Sequence, residues 1–152
     1  MPIHYGGTEK EARSLNAYVK LMRAAESVTA RVHRHLADVR LTETQFGVLE
    51  ALHHLGALSQ KEIGKKLLKS RGNITTVVDN LEKRRLVKRV RETEDRRVVT
   101  VHLTDEGERL IAGTFPRHVA GIVEEMGVLT ETEQKELDRL CRKLGLGTSE
   151  VF

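Results

Sequence analysis

The chain has 152 residues, 32% of them charged and 39% hydrophobic, with a formal net charge of +4. That length suits one domain with a real core, and two Tyr, three Phe and no Trp are too few for a platform that stacks single-stranded bases. A single Cys excludes an internal disulfide, no apolar run approaches the roughly 20 residues of a membrane span, and the N-terminus lacks a signal-like apolar core; a cytoplasmic protein is expected.

In chain order, Thr8–Glu11, Thr42–Gln45, Ser59–Glu62 and Thr130–Glu133 fit the capping-box pattern, in which a hydroxyl and a side chain three residues on satisfy free backbone donors. The first helix is expected from about Thr8 to near Val39, because Leu15, Tyr18, Val19, Met22, Val28, Val32, Leu36 and Val39 recur at three- and four-residue steps. Such a length suggests packing beyond its own subunit. The second helix runs from Thr42 to about Leu55 and buries some of Phe46, Leu49 and Leu52, with Gly56 as its stop. A short third helix spans Ser59 to about Leu68, with Ile63 and Leu67 inward. After a turn at Lys69-Ser70, the fourth spans Arg71 to about Arg84. Its stripe of Ile74, Val77, Val78 and Leu81 leaves Gly72, Thr76, Asp79 and Lys83 on the opposite face, with Thr75 and Asn80 beside it.

After Leu86 the period becomes two, so Val87–Arg91 and 98–103 read as paired strands with Glu92–Arg96 as the tip. The fifth helix follows Thr104, with Leu110, Ile111, Phe115, Val119, Ile122 and Met126 as its stripe and Pro116 set to bend it. The last, from about Thr130 to Leu144, is expected to bury Leu137, Leu140, Cys141 and Leu144.

Residues 59–97 hold thirteen Lys or Arg and six acids, a balance of +7, while the remainder carries 26 − 13 = 13 bases and 22 − 6 = 16 acids. A basic segment on a slightly acidic body is the footprint of a nucleic-acid-binding face. A capped short helix, a turn, a striped second helix and a basic hairpin form a winged helix-turn-helix. The fold class is therefore mostly α with a small β-hairpin wing. The groove-facing helix suits the major groove of duplex DNA. The expected contact set is Ser59, Gln60, Ser70, Arg71, Gly72, Asn73, Thr75, Thr76, Asp79, Asn80, Lys83 and Arg84 on the two helices, with Arg91, Arg96 and Arg97 on the wing. Its hydroxyls and amides can reach bases or phosphates, and its cations suit phosphates.

The chain resembles the MarR family of winged-helix regulators at Leu41–Phe46, Ser59–Gly64, Asn73–Lys83, Glu94–Arg97 and Leu103–Gly107. The Asp95-x-Arg97 pair is its most specific part, and the resemblance covers nearly the whole chain. It implies a single 1–152 domain: a homodimer whose helices at about 8–39 and 104–147 dimerise, and whose lobe at about 42–103 reads DNA. It further implies that Arg97 reaches the minor groove while Asp95 braces it, since a carboxylate beside a guanidinium fixes its direction. Thr114–His118 and Asp79–Lys83 look most like the branch that responds to phenols and quinones. Candidate effector walls are Tyr18, Met22, Phe46, His53 and Phe115.

Neither the His33/His35 nor the His53/His54 spacing shares one helix face, and the His-x-x-x-His pair of zinc-sensing relatives is lacking, so no metal site is expected. Cys141 reads as a core residue of the last helix, because peroxide-sensing relatives carry their cysteine in the first. With no phosphate loop or nucleophile elbow, no enzyme and no cofactor are expected. The sequence thus points to a repressor on a near-palindromic duplex operator, released by a small phenolic or quinone-like effector. Two alternatives stand beside it: a winged-helix module that binds protein, and a metal-responsive regulator.

Overall fold

The computed structural model describes residues 5–147, and it falls into two compact units. One comprises His33–Val119, and the other comprises the chain up to Val32 together with the chain from Ala120 onward.

The His33–Val119 unit opens with a 3-10 helix, His33–Val39, followed by α2 (Glu43–Leu55), β1 (Leu58–Ser59), α3 (Gln60–Leu67), α4 (Arg71–Lys83), β2 (Val87–Arg91) and β3 (Val99–Leu103). The expected capping boxes at Thr42 and Ser59 form in full, each hydroxyl taking the amide three residues on while that residue's side chain takes the cap's own amide. Ser70 caps α4 by accepting from the Asn73 amide at 3.3 Å. Gly56, at φ 80°, ends α2 where a side chain would be strained. The core joins Phe46, Val48, Leu49 and Leu52 of α2 to Ile63 of α3, the α4 stripe of Ile74, Val77, Val78 and Leu81, and Val87, Val101 and Ile111.

The sheet has the order β1-β3-β2 and is antiparallel throughout, with Val87 opposite Leu103 and Arg91 opposite Val99. The two-residue β1, where Leu58 and Ser59 face Val101 and Thr100, is an addition to the expected hairpin. It gives β3 neighbours on both sides. Thr104 closes the wing: its amide bonds the Leu86 carbonyl at 3.1 Å and its hydroxyl the Arg85 carbonyl at 2.7 Å. The next turn, the start of α5 (Asp105–Met126), packs so tightly there that a Cβ at Gly107 would land on the Leu86 carbonyl.

The other unit contains α1 (Glu9–Val32), the end of α5 and α6 (Glu131–Leu146). Arg31 and Glu125 pair at 2.6 Å, and Gln134 donates to the Met126 and Leu129 carbonyls that follow α5. The structure corrects the expected first helix and the expected burial along the last one. The first helix is α-helical only to Val32, and the 3-10 segment takes over, its tighter pitch still keeping Leu36 buried. As the spacing requires, Pro116 lies inside α5, which continues to Met126. Cys141, expected in a core, is exposed, as are Leu137, Leu140 and Leu144 beside it. No helix among the described residues is long and apolar enough to cross a membrane.

Candidate nucleic-acid interface

The turn between α3 and α4 is set by Leu68, which adopts a left-handed conformation at the end of α3, and by the Ser70 cap. From this start α4 buries its apolar stripe and exposes Arg71, Gly72, Asn73, Thr76, Asn80 and Lys83. Gly72 has open space around its α-carbon, so backbone and ligand can come close there. Thr76 spends its hydroxyl proton on the Gly72 carbonyl at 3.2 Å and keeps its oxygen lone pairs outward. This face is the polar, solvent-exposed side of α4.

Several residues of the expected contact set hold partners within the protein. The Ser59 hydroxyl caps α3. Gln60 turns inward, donating to Thr75 Oγ1 at 2.9 Å and accepting from Arg89 Nε at 3.0 Å. Thr75 in turn donates to the Arg71 carbonyl at 3.0 Å. Asp79 holds Arg89 Nη2 at 2.6 Å, which fits its acidity, since a free carboxylate facing phosphates would repel them. Arg84 donates to the carbonyls of Arg40 and Val39 at 2.6 and 3.1 Å.

Arg89 was the residue that sequence reasoning passed over. Its guanidinium joins α3 through Gln60, α4 through Asp79 and Glu82, and its own amide also bonds Glu82 at 3.1 Å. The side chain is only 22% exposed. A signal existed: two residues from buried Val87, Arg89 shares the strand's inward face, where a cation needs acids within reach. This brace fixes α4 against the sheet.

On the wing, Arg91 donates to the Arg96 carbonyl at 2.8 Å and closes the tip. Asp95 accepts from the Arg97 amide at 3.0 Å and from Arg97 Nε at 3.2 Å. The Arg97 amide, and then its guanidinium, hold the Asp95 carboxyl below its ordinary range, so it stays ionised. Arg97 itself is 92% exposed with its fork aimed by that carboxylate. The Asp95-x-Arg97 pair is therefore both a turn brace and a presented cation.

The expected effector walls divide between the units. Tyr18 and Met22 are exposed in one; Phe46, His53 and Phe115 lie in the other. Phe46 is 1% exposed and is core, because its position on the α2 stripe puts it among Val48, Leu49 and the lobe's other apolar side chains. His53 pairs with Glu108 at 2.7 Å, and Phe115 packs edge-on against His54 at 4.6 Å. A shallow recess of about 370 Å³ beside α2 includes Phe46 but none of the other walls.

Residues 41–99 match the MarR family model. The chain is 36% identical over 138 residues to the HTH-type transcriptional regulator MhqR of Bacillus subtilis (strain 168), covering 91% of this chain and 95% of that one. It is 33% identical over 144 residues to the uncharacterized regulator YkoM of the same strain, covering 95% and 94%. Among solved structures it resembles Bordetella bronchiseptica BpsR, whose DNA binding is regulated by 6-hydroxynicotinic acid, with TM-score 0.78, 28% identity and coverage of 86% and 98%. The fold is also that of AbsC, a MarR family regulator from Streptomyces coelicolor, with TM-score 0.81, 19% identity and coverage of 93% and 95%. With its helix-turn-helix, braced wing and these relatives, the chain belongs to the MarR family of winged-helix transcriptional regulators, which are DNA-binding proteins and not enzymes.

Proposed function

We propose that the protein is a cytoplasmic homodimeric repressor of a near-palindromic duplex operator, released by a small phenolic or quinone-like effector. The observation that carries the dimer is the uncovered apolar surface of the unit holding α1 and α6. Ile122, Val123, Leu137, Leu140 and Leu144 are all exposed, and no residue of α6 is buried. Surface of that kind is what a subunit interface covers. Two copies would form a single 1–152 regulator each, with residues about 8–39 and 104–147 pairing the copies and about 42–103 reading DNA. The two α4 helices then enter successive major grooves about one helical turn apart.

Arg71, Asn73, Thr76, Asn80 and Lys83 are the assigned groove contacts, with Ser70, Arg91 and Arg96 toward the backbone and Arg97 in the minor groove. The effector class rests on the resemblance at Thr114–His118 and on BpsR, a relative regulated by a hydroxylated aromatic acid. A gel-shift series on duplex DNA flanking the gene, with catechol and hydroquinone added stepwise, tests it. Release at low effector concentration is expected; a retarded band unaffected by either compound would reject the effector class. Such a ligand acts only if it prefers one spacing of the reading helices over the other.

A further inference from the structure

Three imidazoles gather in the His33–Val119 unit at a place with no part in DNA contact. His118 of α5 stacks on His33 with ring centroids 5.3 Å apart and planes 17° apart, and lies 5.4 Å from His35. Phe46 of α2 closes the fourth side at 4.5 Å. His118 is 6% exposed, and its buried Nδ1 has no hydrogen-bond partner. As the Nε2–H tautomer, the neutral ring leaves Nδ1 as a bare acceptor. The protonated ring carries N–H groups on both nitrogens, and one would then be buried without an acceptor.

The surroundings make that proton unwelcome. From the 3-10 helix, His118 faces His33 and His35, while Asp38 is already occupied by Arg117 of α5 at 2.8 Å. From α2 it faces Phe46, a partial cation–π offset, and Glu43 stands beside His33, 3.4 Å from its Nδ1, rather than beside His118. From α5 itself, Phe115 lies 6.3 Å away. Burial first, then the charges that His33 and His35 would bring, push His118 down to about 4 from an ordinary 6.5.

The far end of the same 3-10 helix is bound to the reading helix. Its last carbonyl, Val39, and the next, Arg40, both accept from Arg84, the residue that ends α4. Arg40 itself sits at φ 54°, a left-handed conformation, and its carbonyl is one of the two that Arg84 holds. We propose that His33, His35 and His118 form an acid-sensitive latch on the 3-10 helix, whose uncharged stack holds α4 in its DNA-competent position through Arg84, so that mild acidification releases the operator. The latch rests on the DNA-binding reading and adds a second, proton-driven input to it.

The sign follows from linkage. His118 is depressed in the latched state, so the latch is fully stable above pH 6.5 and weakens as pH falls from 6.5 toward about 4. Ordinary histidine protonation works the other way, adding cations that strengthen binding to phosphates. The direction of the pH effect therefore distinguishes the latch from general electrostatics.

The test is fluorescence anisotropy with a labelled duplex selected from a random pool by the full-length protein at pH 7.5, read from pH 7.5 to 5.0 at constant ionic strength, with helical circular dichroism alongside. Wild type should lose about tenfold in affinity between pH 6.5 and 5.0 with its helical signal intact, one linked proton being worth up to about tenfold per pH unit. His118→Gln should flatten that profile. Affinity that holds or rises on acidification, or a loss that persists in folded His118→Gln or tracks unfolding, overturns the latch. Should His118→Gln fail to fold, His33→Gln decides: removal of one repelling imidazole moves the release midpoint to lower pH, and an unmoved midpoint overturns the proposal. Failure to select any duplex at pH 7.5 would overturn the DNA-binding reading along with the latch, whereas a selected duplex with flat affinity overturns the latch alone.

Discussion

Leu81 and Leu140 each belong to the apolar stripe of an amphipathic helix, yet Leu81 is fully buried and Leu140 is 47% exposed. Their helices belong to different units. The His33–Val119 unit closes a core from α2, α3, α4, the start of α5, the 3-10 helix and a sheet, and among the described residues Val32 is the one buried hydrophobic side chain of the other unit. The same periodicity therefore has two meanings. In α4 it specifies packing inside one unit, and in α6 it marks an exposed apolar face.

The largest expected difference comes from cutting into each stripe. Leu81→Ala should cost about 2–5 kcal/mol of stability, the range for a buried leucine, and the loss should be independent of protein concentration in thermal melts. Leu140→Asp should leave the lobe's secondary structure intact and shift sedimentation from dimer toward monomer; an unchanged dimer would break the contrast. Next come two arginines of the lobe. Arg89→Ala should cost about 1–3 kcal/mol in chemical denaturation, because Asp79 and Glu82 lose a partly buried partner. Arg97→Ala should leave stability within about 0.5 kcal/mol and weaken operator binding by about 1–3 kcal/mol. Equal effects of both on stability would mean that the wing cation is structural. The smallest effect is Lys83→Ala, expected to lower the slope of log affinity against log salt by about 1 without altering sequence preference.

Much of the lobe was legible because its signals are local. Ser59, Glu62, Thr42 and Gln45 announce helix starts through bonds three residues long, and Asp95 with Arg97 announces the wing within one turn. What stayed hidden depends on partners distant in sequence. Val32, Leu36 and Val39 keep three- and four-residue spacing in an α-helix and nearly so in a 3-10 helix, so periodicity could not reveal the change of pitch at His33. Leu58-Ser59 is too short to alternate. Arg84 and Arg89 look like further cations in a basic run, and only the fold shows that Arg40 and Asp79 have claimed them. The basic balance of residues 59–97 thus overstates the charge available to DNA. The exposed stripe of α6 reads from its spacing as an interior, and Cys141 with it, because spacing marks an apolar face without saying whether the chain covers it.

Gly107 sets a limit on how this scaffold can be re-engineered. With no room for even a methyl group against the Leu86 carbonyl, the joint between wing and α5 admits one amino acid. A library aimed at new operator preferences can vary the solvent-facing tip at residues 92–94 and the outward positions 72, 76, 80 and 83. Diversity spent on position 107 would be recovered as misfolded protein.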